Sequence, residues 1–142
     1  PLDTLFGTRK WVAFTGNLLC LAALAFLALD PAPGIAVVTV AFVAIGLTGT
    51  SFGLVMAHGR AFVPAHLTGR GVTLLNFFSI GGVGVMQFAT GAVVTATAVP
   101  GEPVAAYQAL FWFYALMLAV ALVIYLGARD AKPERAVTAK AS

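Results

Sequence analysis

Long apolar runs alternate with short polar segments along this chain. Four of the runs contain no charged residue. Each is long enough, at about 1.5 Å of helix per residue, to cross a hydrocarbon core of about 30 Å. The pattern therefore predicts an all-α integral membrane protein with four transmembrane helices, at residues 11–29, 35–57, 72–97 and 104–128.

The segments between the runs are polar or rich in proline and glycine. Because proline cannot continue a helix, the two short segments that each hold two prolines and a glycine are predicted to be tight turns. The predicted connections are a loop at 1–10, external turns at 30–34 and 98–103, a cytoplasmic hairpin at 58–71 and a cytoplasmic tail at 129–142.

The charges are distributed unevenly between the two sides of this serpentine chain. All eight lysines and arginines fall in the first loop, the central hairpin or the tail. The two turns on the opposite side carry only Asp30 and Glu102. By the positive-inside rule, both termini are expected in the cytoplasm, with the protein crossing the cell's inner or plasma membrane several times.

Composition narrows the possible functions. The chain is 61% hydrophobic and only 9% charged, whereas a soluble domain has about 25% charged residues. Its isoelectric point of about 9.5 would suggest nucleic acid in a soluble protein. Here the basic residues mark one membrane face, so the bilayer is the expected partner and nucleic acid is not. The single cysteine, Cys20, excludes a disulfide within the chain and a metal site built on cysteines.

Catalytic chemistry is not expected within the apolar runs. They contain no Asp, Glu, Lys, Arg or His, the residues that proton relays and ion sites in membranes usually need. We also find no Ser/His or Asp pair at membrane depth, so neither an enzyme nor a cofactor is predicted. The two histidines, His58 and His66, both fall in the predicted hairpin, outside the membrane.

The third run carries a polar stripe. If each residue advances by about 100°, every polar side chain from Thr73 to Thr90 falls in a sector roughly 120° wide. Contact with lipid gains nothing from such a stripe, so it is expected to face protein or water. The alternatives are interhelical hydrogen bonds for the amides and bonds to the helix's own backbone for the hydroxyls. The candidate substrate or cavity residues are Asn76, Ser79, Gln87 and Thr90, with Thr50 from the second run.

Glycine distinguishes the middle runs from the outer ones. Small residues four positions apart permit close contact between helix backbones, so the middle helices are expected to be packed interior elements that can slide or tilt. The first and fourth runs have few polar side chains and are expected to face lipid. The candidate packing residues are Gly46, Gly49, Gly53, Gly81, Gly84 and Gly91.

Two motifs resemble the major facilitator superfamily of secondary transporters. The segment Asp3-x-x-Phe6-Gly7-x-Arg9-Lys10 resembles the family's cytoplasmic loop signature, D-R-x-G-R-R/K. The block PAHLTGRGVTLLN at 64–76, followed by the glycine-rich residues 80–87, resembles the hairpin between the tenth and eleventh helices. The resemblance covers the whole chain and identifies it with helices nine to twelve of a twelve-helix, two-bundle transporter.

The resemblance implies a function. Such transporters move a small solute by alternating access between two bundles, and the counterparts of the two middle helices would line the cavity or its gates. The expected partners are then the missing N-terminal helices of the same protein and a small-molecule solute. A chain that begins at Pro1 rather than Met fits a piece of a longer protein. The implied cytoplasmic gate residues are Asp3, Gly7, Arg9, Lys10 and Arg70.

A second hypothesis belongs to a different class. The chain could be a non-transporting four-helix membrane scaffold or assembly subunit, which would be expected to expose no water-lined face. The polar stripe favours the transporter. A small, self-contained four-helix transporter that dimerises is a variant of the first hypothesis, and it would be expected to hold a charged residue in its membrane core. The neutral stripe is compatible with sugars, organic anions or drugs as the solute.

Overall fold

The apolar runs form helices because a segment in hydrocarbon must satisfy its own backbone hydrogen bonds. The computed structural model describes residues 9–30, 33–49 and 51–129, and the helices within them are α1 (Arg9–Leu29), α2 (Gly34–Thr48), α3 (Ser51–Arg60), a 3₁₀ turn (Ala65–Leu67), α4 (Thr68–Thr97) and α5 (Pro103–Leu126). Four stretches are long and apolar enough to cross a membrane: Lys10–Leu29, Gly34–Arg60, Ala65–Thr97 and Pro103–Leu126. The prediction of an all-α chain with four such helices is confirmed.

The second predicted helix is not continuous. Gly49 ends α2 with its N–H bonded to the Ile45 carbonyl at 2.9 Å, and the Phe52 N–H reaches back only three residues, to the Gly49 carbonyl at 3.1 Å. The Thr48 hydroxyl also bonds the Ala44 carbonyl, at 3.0 Å. Glycine has low helix propensity, and a threonine hydroxyl competes for backbone groups. The predicted helix over 35–57 therefore corresponds to one candidate span, Gly34–Arg60, in which α2 ends at Thr48 and α3 begins at Ser51.

The other helix ends differ from prediction by a few residues. α4 begins at Thr68, four residues before the predicted start at 72, and α3 runs on to Arg60. The predicted bounds follow the charged residues at which the apolar runs stop. Such residues do not end a helix at a membrane surface. The turn before α5 has Gly101 at φ +85°, a conformation that glycine adopts at little cost.

The pair α1 and α5 forms the centre of the packing. Their mutual contact is the most extensive in the fold; α2 and α3 pack on α1, and α4 packs on α5. The buried apolar side chains are Ala13, Leu27 and Ala28 of α1, Ala41 of α2, and Ala106, Ala115 and Leu122 of α5. The expectation that the first and fourth helices face lipid did not include this mutual contact, although α5 still exposes Leu116, Val123 and Ile124. Small apolar residues let membrane helices pack closely without polar groups, so a lack of polarity does not mark a lipid-facing helix.

The glycines of the middle helices meet open space. A Cβ added at Gly46, Gly53, Gly81, Gly84 or Gly91 would have no heavy atom within 4 Å, and one at Gly49 would meet only its own helix. α4 contains no buried residue. Within the described chain these glycines therefore make no close helix contact, and their predicted role in packing against a further helix stays a prediction.

The terminal carbonyls of α1 and α5 each accept hydrogen bonds from a side chain of the other helix. Lys10 at the start of α1 donates from Nζ to the carbonyls of Leu126 and Ala128, each at 2.7 Å. At the other end of the pair, Gln108 Nε2 donates to the Ala28 carbonyl at 2.9 Å. The last carbonyls of a helix lack partners within the helix, and a cation there also complements the helix dipole. The antiparallel pair thus closes both of its C-termini with side chains.

We predict that Lys10→Met destabilises the protein by about 1–3 kcal/mol, because it keeps an apolar stem but removes a charged donor from two carbonyls. Arg70→Met is the matched control. Arg70 is exposed, and its side chain has no hydrogen-bond partner among the described residues. The free energy of unfolding in detergent micelles checks this, and equal losses for the two variants would contradict the capping role.

Candidate functional site

The predicted polar stripe on α4 divides into two parts. Ser79 is half-buried, bonded to its own Leu75 carbonyl at 2.8 Å and 3.7 Å from the Met56 sulfur on α3. The Thr90 hydroxyl lies 2.9 Å from the Tyr114 hydroxyl on α5. These two stripe residues therefore contact neighbouring helices of the same chain.

The rest of the stripe is open. Thr73, Asn76 and Gln87, which we call the open polar face, are all exposed. The Thr73 hydroxyl bonds its own helix, at the Gly69 carbonyl. The amides of Asn76 and Gln87 have no hydrogen-bond partner among residues 9–30, 33–49 and 51–129. At about 1.5 Å per residue they lie roughly 10 and 7 Å from the middle of α4, within the half-thickness of about 15 Å of a hydrocarbon core.

An unpaired amide at that depth is costly. Moving an amide from water into hydrocarbon costs about 4–8 kcal/mol when it finds no hydrogen bond. The open polar face therefore needs polar surroundings from outside the described chain. Those surroundings are water, a solute or another protein segment.

Helix periodicity explains the division of the stripe. Relative to Asn76, Ser79 and Thr90 lie at about −60° and −40°, whereas Gln87 lies at about +20°. α3 and α5 approach α4 from the negative side, and their contacts stop before the amides. The periodicity grouped these side chains correctly, but it could not show where the neighbouring helices end.

The structure describes three of the five predicted gate residues, and these three have different surroundings. Asp3 and Gly7 lie outside the described residues, as does the cavity candidate Thr50. Arg9 is the first residue of α1, and Arg70 is exposed in the first turn of α4. Lys10, by contrast, is engaged with the end of α5.

His58 forms a contact that the sequence did not reveal. It is 3% exposed, the one buried polar side chain in the described part of the chain. Its Nε2 lies 2.8 Å from the Arg129 carbonyl and its Nδ1 2.6 Å from the Tyr125 hydroxyl. A carbonyl only accepts, so Nε2 carries a proton, and in the neutral ring Nδ1 accepts from Tyr125. The ring also packs edge-on against Tyr125, with centroids 5.5 Å apart.

The placement of His58 corrects the predicted hairpin. It was expected in a polar connection outside the membrane, but it lies in α3, directed at the end of α5. A polar residue that directly follows an apolar run can extend the helix when a hydrogen-bond partner on another helix lies within its reach. The available signal was Tyr125, near the end of the fourth run, which ends on the same side as the second run.

Two grooves flank α5. One, of about 560 Å³, lies between α1, α2, α4 and α5 and is lined by apolar and aromatic side chains such as Phe42, Met86 and Phe111. The other, of about 380 Å³, includes Asn17 and Gly49. Both volumes fall in the range of small-molecule pockets. Among the described residues no group of three potential metal ligands comes together.

Comparison with known proteins finds no family model that matches the chain, and no curated protein or solved structure that is significantly similar to it. The resemblance to the major facilitator superfamily therefore stays a prediction.

We predict energetic coupling between Thr90 and Tyr114. In a double-mutant cycle with Thr90→Val and Tyr114→Phe, the coupling energy is expected to be about 0.6 kcal/mol, the average for such bonds between membrane helices. Tyr107→Phe is the control, since Tyr107 is 60% exposed and its hydroxyl has no partner among the residues described. Unfolding free energies of the variants check this, and the pairing is refuted if Thr90→Val couples no more strongly to Tyr114→Phe than to Tyr107→Phe.

Proposed function

We propose that this chain is part of a secondary transporter that moves a small solute across the membrane by alternating access, with α4 lining the path. The observation that carries the proposal is the open polar face. Two amides without a hydrogen-bond partner among the described residues, those of Asn76 and Gln87, lie near the middle of a helix that is long and apolar enough to span a membrane. Uncharged polar groups in such a position are typical of a solute pathway or a helix contact.

The chemistry of the open polar face limits its ligand. Each amide offers both donors and an acceptor, so it suits hydroxyl, carbonyl or amine groups of a solute. Selection by charge would come from side chains outside the described residues, because α4 between Gly71 and Thr97 holds no charged residue. A solute that forms several neutral hydrogen bonds fits this face best.

The larger architecture is also part of the proposal. The chain would supply four helices of a twelve-helix, two-bundle transporter of the major facilitator type, and N-terminal helices of the same protein would complete the path. The open space beside the glycines of α2, α3 and α4 supports this, because it leaves room for further helices. The end of the bundle that carries Lys10, Arg60, Arg70 and Arg129, which we call the basic end, would face the cytoplasm.

A scaffold is the second candidate. The same open glycines and unpaired amides would suit a dry contact with a partner helix, since small residues and amides both promote helix association in membranes. The two functions differ in one property of the open polar face. A transporter fills it with water, whereas a scaffold covers it with protein.

Thiol labelling separates the two functions. In a Cys20→Ala background, Asn76→Cys and Gln87→Cys are expected to react with a membrane-impermeant maleimide in intact membranes, because a thiol forms its reactive thiolate only where water reaches it. Val85→Cys is the matched control. Val85 is 68% exposed but lies about 180° from Asn76 around α4, so it is expected to remain unreactive.

The outcomes are distinct. Alternating access predicts that Gln87→Cys reacts with reagent added to either side of the membrane. Reaction from one side alone would indicate a fixed vestibule. If both amide positions are as unreactive as Val85→Cys, the path is not aqueous and the scaffold is supported.

A further inference from the structure

We propose that the start of α4 holds an anionic phospholipid, with its phosphate at Arg70 and an acyl chain along Leu74 and Phe77. The site goes beyond the proposed function, because its ligand is a lipid of the bilayer rather than a transported solute. Lipid binding can be measured without any solute, so the two proposals can fail separately.

A shallow groove runs along α4 at the basic end. It has a volume of about 590 Å³ and is lined by Gly69, Arg70, Thr73, Leu74 and Phe77, and we call it the Arg70 groove. At about 100° per residue, the two short residues lie side by side and the three longer side chains lie roughly 40–100° beyond Thr73. A Cβ added at Gly69 would have no heavy atom within 4 Å. The groove therefore has a floor of short residues and a wall of long ones.

The wall changes from charged to apolar with depth. Arg70 is nearest the basic end, Leu74 lies about 6 Å deeper and Phe77 about 10 Å deeper. Because helix side chains lean towards the N-terminus, the stem of Arg70 extends towards the membrane surface. Leu74 and Phe77 are both exposed. A phospholipid has the same order, with a charged phosphate above apolar chains, so it matches the wall level by level.

The charge of Arg70 selects an anion. Its side chain has no hydrogen-bond partner among the described residues, and the two acids within them, Asp30 and Glu102, lie in the turns at the other end of the bundle. The planar fork of N–H donors on an arginine suits a phosphate. A protein segment over this groove would have to bring a carboxylate for Arg70, whereas a phospholipid supplies the charge and the apolar chain together.

Thr73 favours a particular headgroup. Its hydroxyl donates to the Gly69 carbonyl at 3.0 Å, so its proton is already used and its oxygen remains an acceptor. The hydroxyls of a glycerol headgroup can donate to that oxygen, whereas the trimethylammonium group of choline has no N–H or O–H to donate. Phosphatidylglycerol therefore suits both Arg70 and Thr73.

The Arg70 groove borders the open polar face but does not include its amides. Thr73 belongs to both surfaces, whereas Phe77 and Arg70 lie about 100° and 120° from Asn76 around the helix. Neither Asn76 nor Gln87 lines the groove. A lipid bound there therefore leaves the two amides accessible.

Fluorescence quenching by brominated lipids tests the site in the full protein in reconstituted bilayers. Trp11→Phe and Trp112→Phe remove the two native tryptophans, and Phe77→Trp then places a reporter in the wall of the groove. Bilayers that mix phosphatidylglycerol and phosphatidylcholine, with one or the other brominated, give the relative association constant of the two lipids. Phosphatidylglycerol is expected to be favoured about fivefold, the factor that one arginine near an anionic headgroup supplies.

Two controls show whether the preference belongs to the groove. Leu116→Trp in the same background reports on α5, where Leu116 is exposed, and it is expected to show no preference. Inorganic phosphate added to the buffer is expected to leave the preference at Phe77→Trp unchanged, because a free anion has no chain to lie along the groove.

Matched variants locate the binding. Arg70→Gln is expected to remove the preference, whereas Arg60→Gln is expected to keep it, since Arg60 is also exposed at the basic end but does not line the groove. Gly69→Leu fills the floor and is expected to lower the preference although Arg70 remains. Gly91→Leu is its control, because Gly91 is equally open but lies near the other end of α4.

Four results would overturn the inference. Equal association of the two lipids at Phe77→Trp means that charge does not select the occupant. Equal losses in Arg60→Gln and Arg70→Gln mean that the basic end attracts anionic lipid as a whole, without a site in the groove. Displacement by inorganic phosphate means that Arg70 binds a free anion. Failure of both brominated lipids to quench Phe77→Trp means that protein covers the groove. Each result stands whether or not Gln87→Cys is labelled from both sides.

Discussion

The arrangement of this chain depends on how the last carbonyls of α1 and α5 are satisfied. A helix end near hydrocarbon has no water to bond its final carbonyls, and each one left unpaired costs several kcal/mol. Here each helix receives a donor from the start of the other, Gln108 for α1 and Lys10 for α5. Such an exchange requires the two helices to be antiparallel, adjacent and nearly equal in length. The alanine-rich contact between them follows from that geometry, and the other helices pack against the pair.

The basic end therefore has a structural role. Three carbonyls at the end of α5, those of Leu126, Ala128 and Arg129, accept from Lys10 of α1 and His58 of α3. A charge count shows only that basic residues gather on one side. The structure shows that one of them binds a helix terminus, whereas Arg70 is exposed. Positive charges at a membrane surface are thus not equivalent, and those that bind carbonyls set the packing.

Hydropathy predicted the four long helices well, because a segment in hydrocarbon has few alternatives to a helix. It missed the interruption after Thr48, since glycine and threonine there leave the run uncharged. Periodicity grouped the polar side chains of α4, but it could not separate Thr90, which pairs with Tyr114, from Gln87, which has no partner in the described chain. That distinction depends on where α5 lies. The hydrogen bonds of His58 could not be predicted either, because its partners, Tyr125 and Arg129, are far away in sequence.

α4 contacts two neighbouring helices along its length, and this sets how the open polar face could act. In its first half Ser79 lies 3.7 Å from the Met56 sulfur of α3, and in its second half Thr90 lies 2.9 Å from the Tyr114 hydroxyl of α5. Asn76 belongs to the first half and Gln87 to the second. A ligand shifts a conformational equilibrium only through different affinities for the two states. On the proposed transport function, a solute that bonds both amides in one state and only one in the other has that difference, so solute binding and the change of access would be coupled through a single helix.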